Sequence, residues 1–218
     1  MTPEQIRAKE DLSGEYNKYV RVIERGNGQK SYLRLYEDNY RHPTETEISA
    51  ALKRMVIKSP VVAFLTGHGE RSIDGIGERD YYAFSQYKDF RNSLVNQGFE
   101  SISLSLDSVN KVPENIDILV ISDVRTALSP KEQEIIENYI AEGRNLLIAG
   151  EPRRQEQMNP LLAPLGLSFM PGILVQESKD FSTDLILANP TMASLNVINR
   201  FDKLLAFGNQ ITMPSAVG

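Results

Sequence analysis

The chain has 218 residues, 41% hydrophobic and 24% charged, a balance that argues against a disordered chain and suits one sizeable core with an appendage, or two small domains. Lys and Arg total 24 against 29 Asp and Glu, giving a formal charge of −5, and no basic run exceeds a pair such as Arg153-Arg154, which argues against a nucleic-acid partner. With no cysteine and only two histidines, His42 and His68, the composition excludes a disulfide framework, a Cys nucleophile and a thiolate or multi-histidine metal site, so no metal and no cofactor is expected.

No apolar run approaches the roughly 18 residues that span a bilayer. The start, MTPEQIRAKE, is too polar for a signal peptide, and both ends suit a piece of a longer protein. Residues 1–15 are polar and predicted helical or frayed. Two strands are predicted at Tyr16–Glu24 and Ser31–Glu37, joined by Arg25-Gly26-Asn27-Gly28-Gln29, whose Gly and Asn residues suit a hairpin turn. After His42-Pro43, Thr44 and Glu47 have capping-box spacing. Ile48, Ala51, Leu52, Met55 and Val56 then form an apolar stripe at helical spacing, which Pro60 stops. Residues 1–59 are therefore expected to form a hairpin-and-helix appendage, and residues 60–218 an α/β domain.

In that second part the pattern alternates. Val61–Thr66 is a continuous apolar run, as in a strand buried on both faces. A charged, Gly-rich loop covers 67–79. An amphipathic helix is predicted over Asp80–Gln97, with Phe84, Tyr87, Phe90, Leu94 and Val95 on its core side and Gly98 as its cap. The aromatic group Tyr81, Tyr82, Phe84, Tyr87 and Phe90 is accordingly read as core before ligand box, with Tyr81 or Tyr82 the more exposed members. Phe99–Leu106 and Asp117–Ser122 are strands. Ser129-Pro130-Lys131-Glu132 starts a helix carrying Ile135, Ile136, Tyr139 and Ile140, which ends at Gly143. Asn145–Ala149 is a third apolar strand. Beyond Gly150 the signals weaken to a short helix at Asn159–Leu165, interrupted by Pro160 and Pro164, and short strands at Ile173–Gln176, Asp184–Leu187 and Leu204–Phe207. Strands alternating with helices predict a flavodoxin-like α/β fold, a parallel sheet with helices on both faces.

In such a sheet ligands bind beyond the carboxyl ends of the strands. Three predicted strands end there in polar segments: Thr66-Gly67-His68-Gly69-Glu70-Arg71, Ser122-Asp123-Val124-Arg125-Thr126 and Gly150-Glu151-Pro152-Arg153-Arg154. Gly67, His68, Gly69, Glu70, Asp123, Arg125, Glu151 and Arg153 are the candidate ligand-binding residues. The glycines admit close backbone approach, His68 or Glu70 can move a proton, and an arginine can hold an anion. The bland reading is that these turns are polar because they face water. Sharper motifs fail. Ser72 stands where a dinucleotide fingerprint needs its third glycine, and there is neither a Gly-Lys-Ser/Thr phosphate loop nor a G-x-S-x-G elbow.

Thr44-Glu45-Thr46-Glu47-Ile48, Phe64-Leu65-Thr66-Gly67-His68-Gly69-Glu70, Asp117-Ile118-Leu119-Val120-Ile121 and Gly143-Arg144-Asn145-Leu146-Leu147 together resemble one family. It is the auxiliary, substrate-binding-like component of gliding-motility-associated ABC-2-type transporters, common in Bacteroidetes. The resemblance covers roughly residues 16–218. It implies a periplasmic, extracytoplasmic domain at the inner membrane, anchored by membrane helices outside this chain and partnered with an ABC permease and ATPase. It also implies a core similar to the class I glutamine amidotransferase-like fold, whose enzymes use a Cys nucleophile that this chain lacks. The expected function is a non-catalytic accessory domain binding a partner protein or a polar solute. The alternative is a hydrolase using His68 or Glu70 as base, for which no nucleophile stands at recognisable spacing.

Overall fold

A computed structural model of the chain describes residues 2–16, 18–36, 38–40, 42–193 and 206–216. They group into two units: Met1–Ser122 with Pro130–Ala149, and Asp123–Ser129 with Gly150–Gly218. The first unit opens with helix α1 (Pro3–Arg7) and a single 3-10 turn, Ser13–Glu15. Strands β1 (Val20–Glu24) and β2 (Lys30–Arg34) pair antiparallel, with Val20 opposite Arg34 and Glu24 opposite Lys30. The predicted hairpin is thus present, turning at Gly28 with φ +83°. Both strands are shorter than expected, and Glu37 lies outside the described residues.

Helix α2 (Glu45–Arg54) starts at the predicted capping box, where the Glu47 carboxylate accepts the Thr44 N–H at 2.9 Å. Its phase differs from the predicted stripe. Ala50, Ala51 and Met55 are buried, whereas Ile48, Leu52 and Val56 are exposed. Close packing and charge decide this. The inward face carries Glu47, which pairs with Arg91, and Ala50 lies so near Gly98 that a Cβ there would stand 3.3 Å from the Ala50 Cβ. Small residues fit this interface; the larger aliphatics turn outward.

β3 (Val61–Leu65) is buried at all five positions. It is followed by α3 (Tyr82–Ser85), β4 (Glu100–Leu104), β5 (Ile118–Ser122), α4 (Pro130–Ala141) and β6 (Asn145–Ala149). β3 to β6 form one parallel sheet in the order β4-β3-β5-β6. This is the flavodoxin-like order, and the expected α/β class is borne out. Val62, Phe64 and Val120 join Ile73 in a buried cluster, flanked by Tyr81, Leu94, Phe99 and Ile118. α4 buries Ile135, Ile136 and Tyr139, as its periodicity predicts. β6 departs from expectation. It alternates exposed and half-buried residues, with Leu147 exposed, because it is the edge strand and lacks β5's second neighbour.

The long helix predicted at Asp80–Gln97 does not form; only the four residues of α3 are α-helical. The apolar spacing is helical, but Ser and Asn side chains take over backbone partners. The Ser85 hydroxyl donates to Tyr81 O at 2.6 Å, and the Asn96 amide donates to Lys88 O and Phe90 O at 3.0 and 2.7 Å. The chain doubles back, Leu94 N–H donating to Phe84 O and Val95 N–H to Ser85 O. As a result Phe84, Tyr87 and Phe90 are exposed, against the expectation that this aromatic group is core.

A buried ion pair fastens the first unit's N-terminal segment. The Arg34 guanidinium donates to both Glu15 oxygens, at 2.7 Å to Oε1, and to Asn96 Oδ1 at 2.8 Å. Burial opposes ionisation of Glu15, but the hydrogen bond and charge of Arg34, then of Lys88, outweigh it and hold the carboxyl below its ordinary range. Arg144 plays a similar part near β5, donating to Val112 O, Pro113 O and Ile116 O at 3.1, 2.9 and 2.7 Å while stacking on Tyr139.

In the second unit, α5 (Gln155–Leu162) runs through Pro160 and passes into a 3-10 turn, Ala163–Leu165, that ends at Gly166 with φ +71°. β7 (Leu185–Ala188) and β8 (Ile211–Pro214) pair antiparallel. No strand forms at Ile173–Gln176. Of the strand predicted at Leu204–Phe207, Leu204 and Leu205 lie outside the described residues, and Phe207 is in a turn.

Two outcomes test this packing. Ile136→Ala truncates a buried side chain and should lower unfolding free energy by ~2–5 kcal/mol in a urea titration; a change below ~0.5 kcal/mol would place Ile136 at the surface. Because the Glu15 pKa is lower in the folded state than in the unfolded chain, its contribution is present above the ordinary glutamate value of 4.5 and is lost as pH falls through the depressed one. Urea midpoints measured from pH 7 to pH 3 should therefore fall less steeply with acid for Glu15→Gln than for the natural sequence; parallel curves would remove Glu15 from the acid response.

Candidate functional site

Parallel pairing puts the carboxyl ends of β3, β5 and β6 on one edge of the sheet. In the order β4-β3-β5-β6 the chain reverses direction of progress between β3 and β5, the switch point where sheets of this kind open a crevice. The turn that leaves β3 begins there. Thr66 N–H still bonds to Leu104 O at 2.9 Å, and Arg71 N–H reaches Ser122 O at 3.4 Å. Between them Gly67 and Gly69 take φ +122° and +77°, values that side chains disfavour, so the turn needs glycine at both.

This turn folds over its own histidine. Glu70 Oε2 accepts the His68 N–H at 2.6 Å, while Glu70 Oε1 stands 3.5 Å from His68 Nδ1. Glu132, in the first turn of α4, brings Oε2 to 3.3 Å from His68 Nε2. The His68 side chain is 12% exposed, that of Glu70 1% and that of Glu132 4%. His68 Nδ1 and Glu70 Oε1 are buried and make no hydrogen bond. Glu132 also lies where the α4 dipole favours a carboxylate. Each ring nitrogen thus faces a carboxylate of the same chain. The ring can hold or pass a proton between Glu70 and Glu132. The described residues contain no group of three or more His, Cys, Asp or Glu arranged to hold a metal.

The turns after β5 and β6 belong to the second unit. There Asp123 is buried with φ +54°. Its Oδ2 is 3.6 Å from Arg125 Nη2 and its Oδ1 3.7 Å from Arg154 Nε. Arg154 rather than its neighbour Arg153 faces Asp123; Arg153 takes φ +66° and is exposed. Glu151 is half-buried beside Gly150, where a Cβ would collide with Phe169 at 2.4 Å. Among the candidate residues, then, the structure gathers His68 with Glu70, and Asp123 with Arg125. Glu132 and Arg154 were not among the candidates. Glu132 signals only a helix start in the sequence, and the choice between Arg153 and Arg154 depends on a left-handed residue that no motif marks.

Residues 59–196 match the family described as an ABC-type uncharacterized transport system. The chain belongs to that family. The match takes in the parallel sheet, the His68 turn and α4, and makes this chain an auxiliary component of an ABC-type transport system. No curated protein and no solved structure matches the chain. No helix among the described residues is long and apolar enough to cross a membrane.

Gly67→Val should lower stability by more than ~1 kcal/mol, since a β-branched residue is disfavoured at that φ. Gly26→Ala is the control, having open space around the new Cβ and no left-handed φ. Equal thermal midpoints for the two variants would show that the His68 turn does not need its glycine.

Proposed function

We propose that this chain is a non-catalytic accessory domain that docks a partner protein of its transport system, the permease or ATPase, or presents a polar solute to it. Membership of the transport-system family supports the broad role. The burial of the His68 ring between Glu70 and Glu132 carries the non-catalytic part. A general base needs a nitrogen or oxygen directed at the substrate, and a nucleophile needs a base in reach. The His68 ring is instead used within the chain, fastening the turn after β3 to the start of α4. What remains accessible for recognition is the charge of the following turns, notably the exposed Arg125 and Arg153.

The finer reading follows the resemblance in the sequence. The domain acts on the extracytoplasmic side of the inner membrane, anchored by segments outside this chain, in a system of the gliding-motility type. Its core is similar to the class I glutamine amidotransferase-like fold, whose enzymes use a cysteine that this chain lacks.

The test is capture of the permease and ATPase by the tagged chain from membranes in which all are expressed. Arg153→Glu, at an exposed position, should weaken capture several-fold while leaving the thermal midpoint unchanged. In parallel, a hydrolase substrate panel is run on the natural sequence and on His68→Gln. Turnover that His68→Gln abolishes without loss of fold would replace the accessory role with the hydrolase alternative. Capture absent for the natural sequence would remove the partner role.

A further inference from the structure

A cleft of about 470 Å³ opens in the first unit, apart from the His68 turn. The volume falls in the ligand-pocket range of about 300–1,000 Å³. Arg54 lines it from the last turn of α2, Lys88 and Val95 from the irregular stretch that replaces the predicted helix, and Phe99, Glu100 and Ser101 from the start of β4. Val95 and Phe99 are half-buried and give the wall an apolar part.

Arg54 is the unusual member. Arg34 and Arg91 each hold a carboxylate. Arg54 is half-buried, donates through Nη2 to Val95 O, and forms no ion pair among the described residues. Glu15, whose charge reaches it, is committed to Arg34 and Lys88. Burial, then the repulsion of Arg34, holds the Arg54 guanidinium below the ordinary arginine value. A half-buried cation without a counter-charge is costly, and an anion in the cleft would offset that cost. A guanidinium has five N–H donors, so one bond to Val95 O leaves donors for a second acceptor. The Ser101 hydroxyl, on the same wall, makes no hydrogen bond.

Charge selects the ligand class. Arg54 and Lys88 against Glu100 leave one positive charge in excess on the lining. One carboxylate balances it, whereas a dianionic phosphate overshoots and meets Glu100. A cation is repelled by Arg54, and a neutral solute leaves Arg54 uncompensated. Arginine also matches a carboxylate in geometry, through paired N–H donors. The apolar wall asks for a hydrocarbon body beside the charge. We infer that the cleft between Arg54, Val95 and Phe99 binds a small organic acid, with its carboxylate on Arg54 and its hydrocarbon body against Val95 and Phe99. This rests on the solute-presenting arm of the accessory role proposed above, and it gives that arm a place and a ligand class.

The experiment titrates the 218-residue chain with benzoate, with neutral benzamide and with inorganic phosphate, read by calorimetry and by the thermal midpoint. Benzoate should bind saturably at millimolar concentration and raise the midpoint. Benzamide, the same ring without the charge, should bind far more weakly, and so should phosphate. Arg54→Gln should weaken benzoate about tenfold, the loss of a charge-assisted hydrogen bond. Glu100→Gln, at an exposed position, should tighten benzoate about twofold by removing the opposing charge, so the inference is still read if Arg54→Gln fails to fold. No response to benzoate at millimolar concentration overturns the inference. So does benzamide or phosphate binding as tightly as benzoate, or a benzoate affinity that both variants leave unchanged. Should benzoate fail while the permease and ATPase are still captured, the cleft assignment falls and the accessory role stands. Should benzoate bind as expected while capture fails, the cleft stands and the docking role falls.

Discussion

A strand with no polar face can only exist covered, and β3 is such a strand. Val61–Leu65 is buried throughout, with β4 hydrogen-bonded on one side and β5 on the other. Much of the first unit follows from satisfying it. Ile73 returns from the following turn to cover Val62 and Phe64 together with Val120. Asp117 accepts the Val61 N–H at 2.7 Å, and its own N–H bonds to Val61 O, which fixes where β5 begins beside β3. At the far end the chain must leave the sheet within a few residues, and two left-handed glycines accomplish that around His68.

The hairpin side of the first unit rests on a different physics. Three charged centres, Arg34 with Glu15, Arg91 with Asp38 and Glu47, and Lys88 with Glu15, tie the N-terminal segment, β2 and α2 to the stretch 86–97. A paired, hydrogen-bonded charge tolerates burial where a lone one does not. This explains why a helix such as α2 turns a glutamate inward and leaves Ile48 and Leu52 outside. It also explains why 86–97 abandons helical geometry: its backbone is held by side chains of fixed position rather than by its own ladder. A cleft lined by Tyr87 and Phe90 is the product of that irregularity, since a regular helix would have turned the two rings together toward the core.

The His68 cluster joins a short local motif to a residue far away in the sequence. Thr-Gly-His-Gly-Glu supplies a proton-bearing ring beside a carboxylate, and by itself that suggests a base. The third member, Glu132, arrives from 64 positions along the chain and closes the ring's other nitrogen. With Glu132 Oε2 3.3 Å from one ring nitrogen and Glu70 Oε1 3.5 Å from the other, the ring stands between the turn after β3 and the start of α4.

By itself the sequence determined the strands of the parallel sheet, the hairpin turn, the start of α2 and α4, the glycine turn at 67–69 and, through the resemblance, membership of the transport-system family. These are set by local signals: runs of apolar residues, capping residues, and glycines where φ must be positive. Only the tertiary structure decided the phase of α2, the loss of the helix at 80–97, the exposure of β6, the choice of Arg154 over Arg153, and the closure of His68 by Glu132. Each of those depends on a partner distant in sequence, such as Arg91 for Glu47, Gly98 for Ala50 or Glu132 for His68. Periodicity records which residues avoid water but not which neighbour they will meet, and where a buried charge or a small side chain chooses the neighbour, the contact overrides the period.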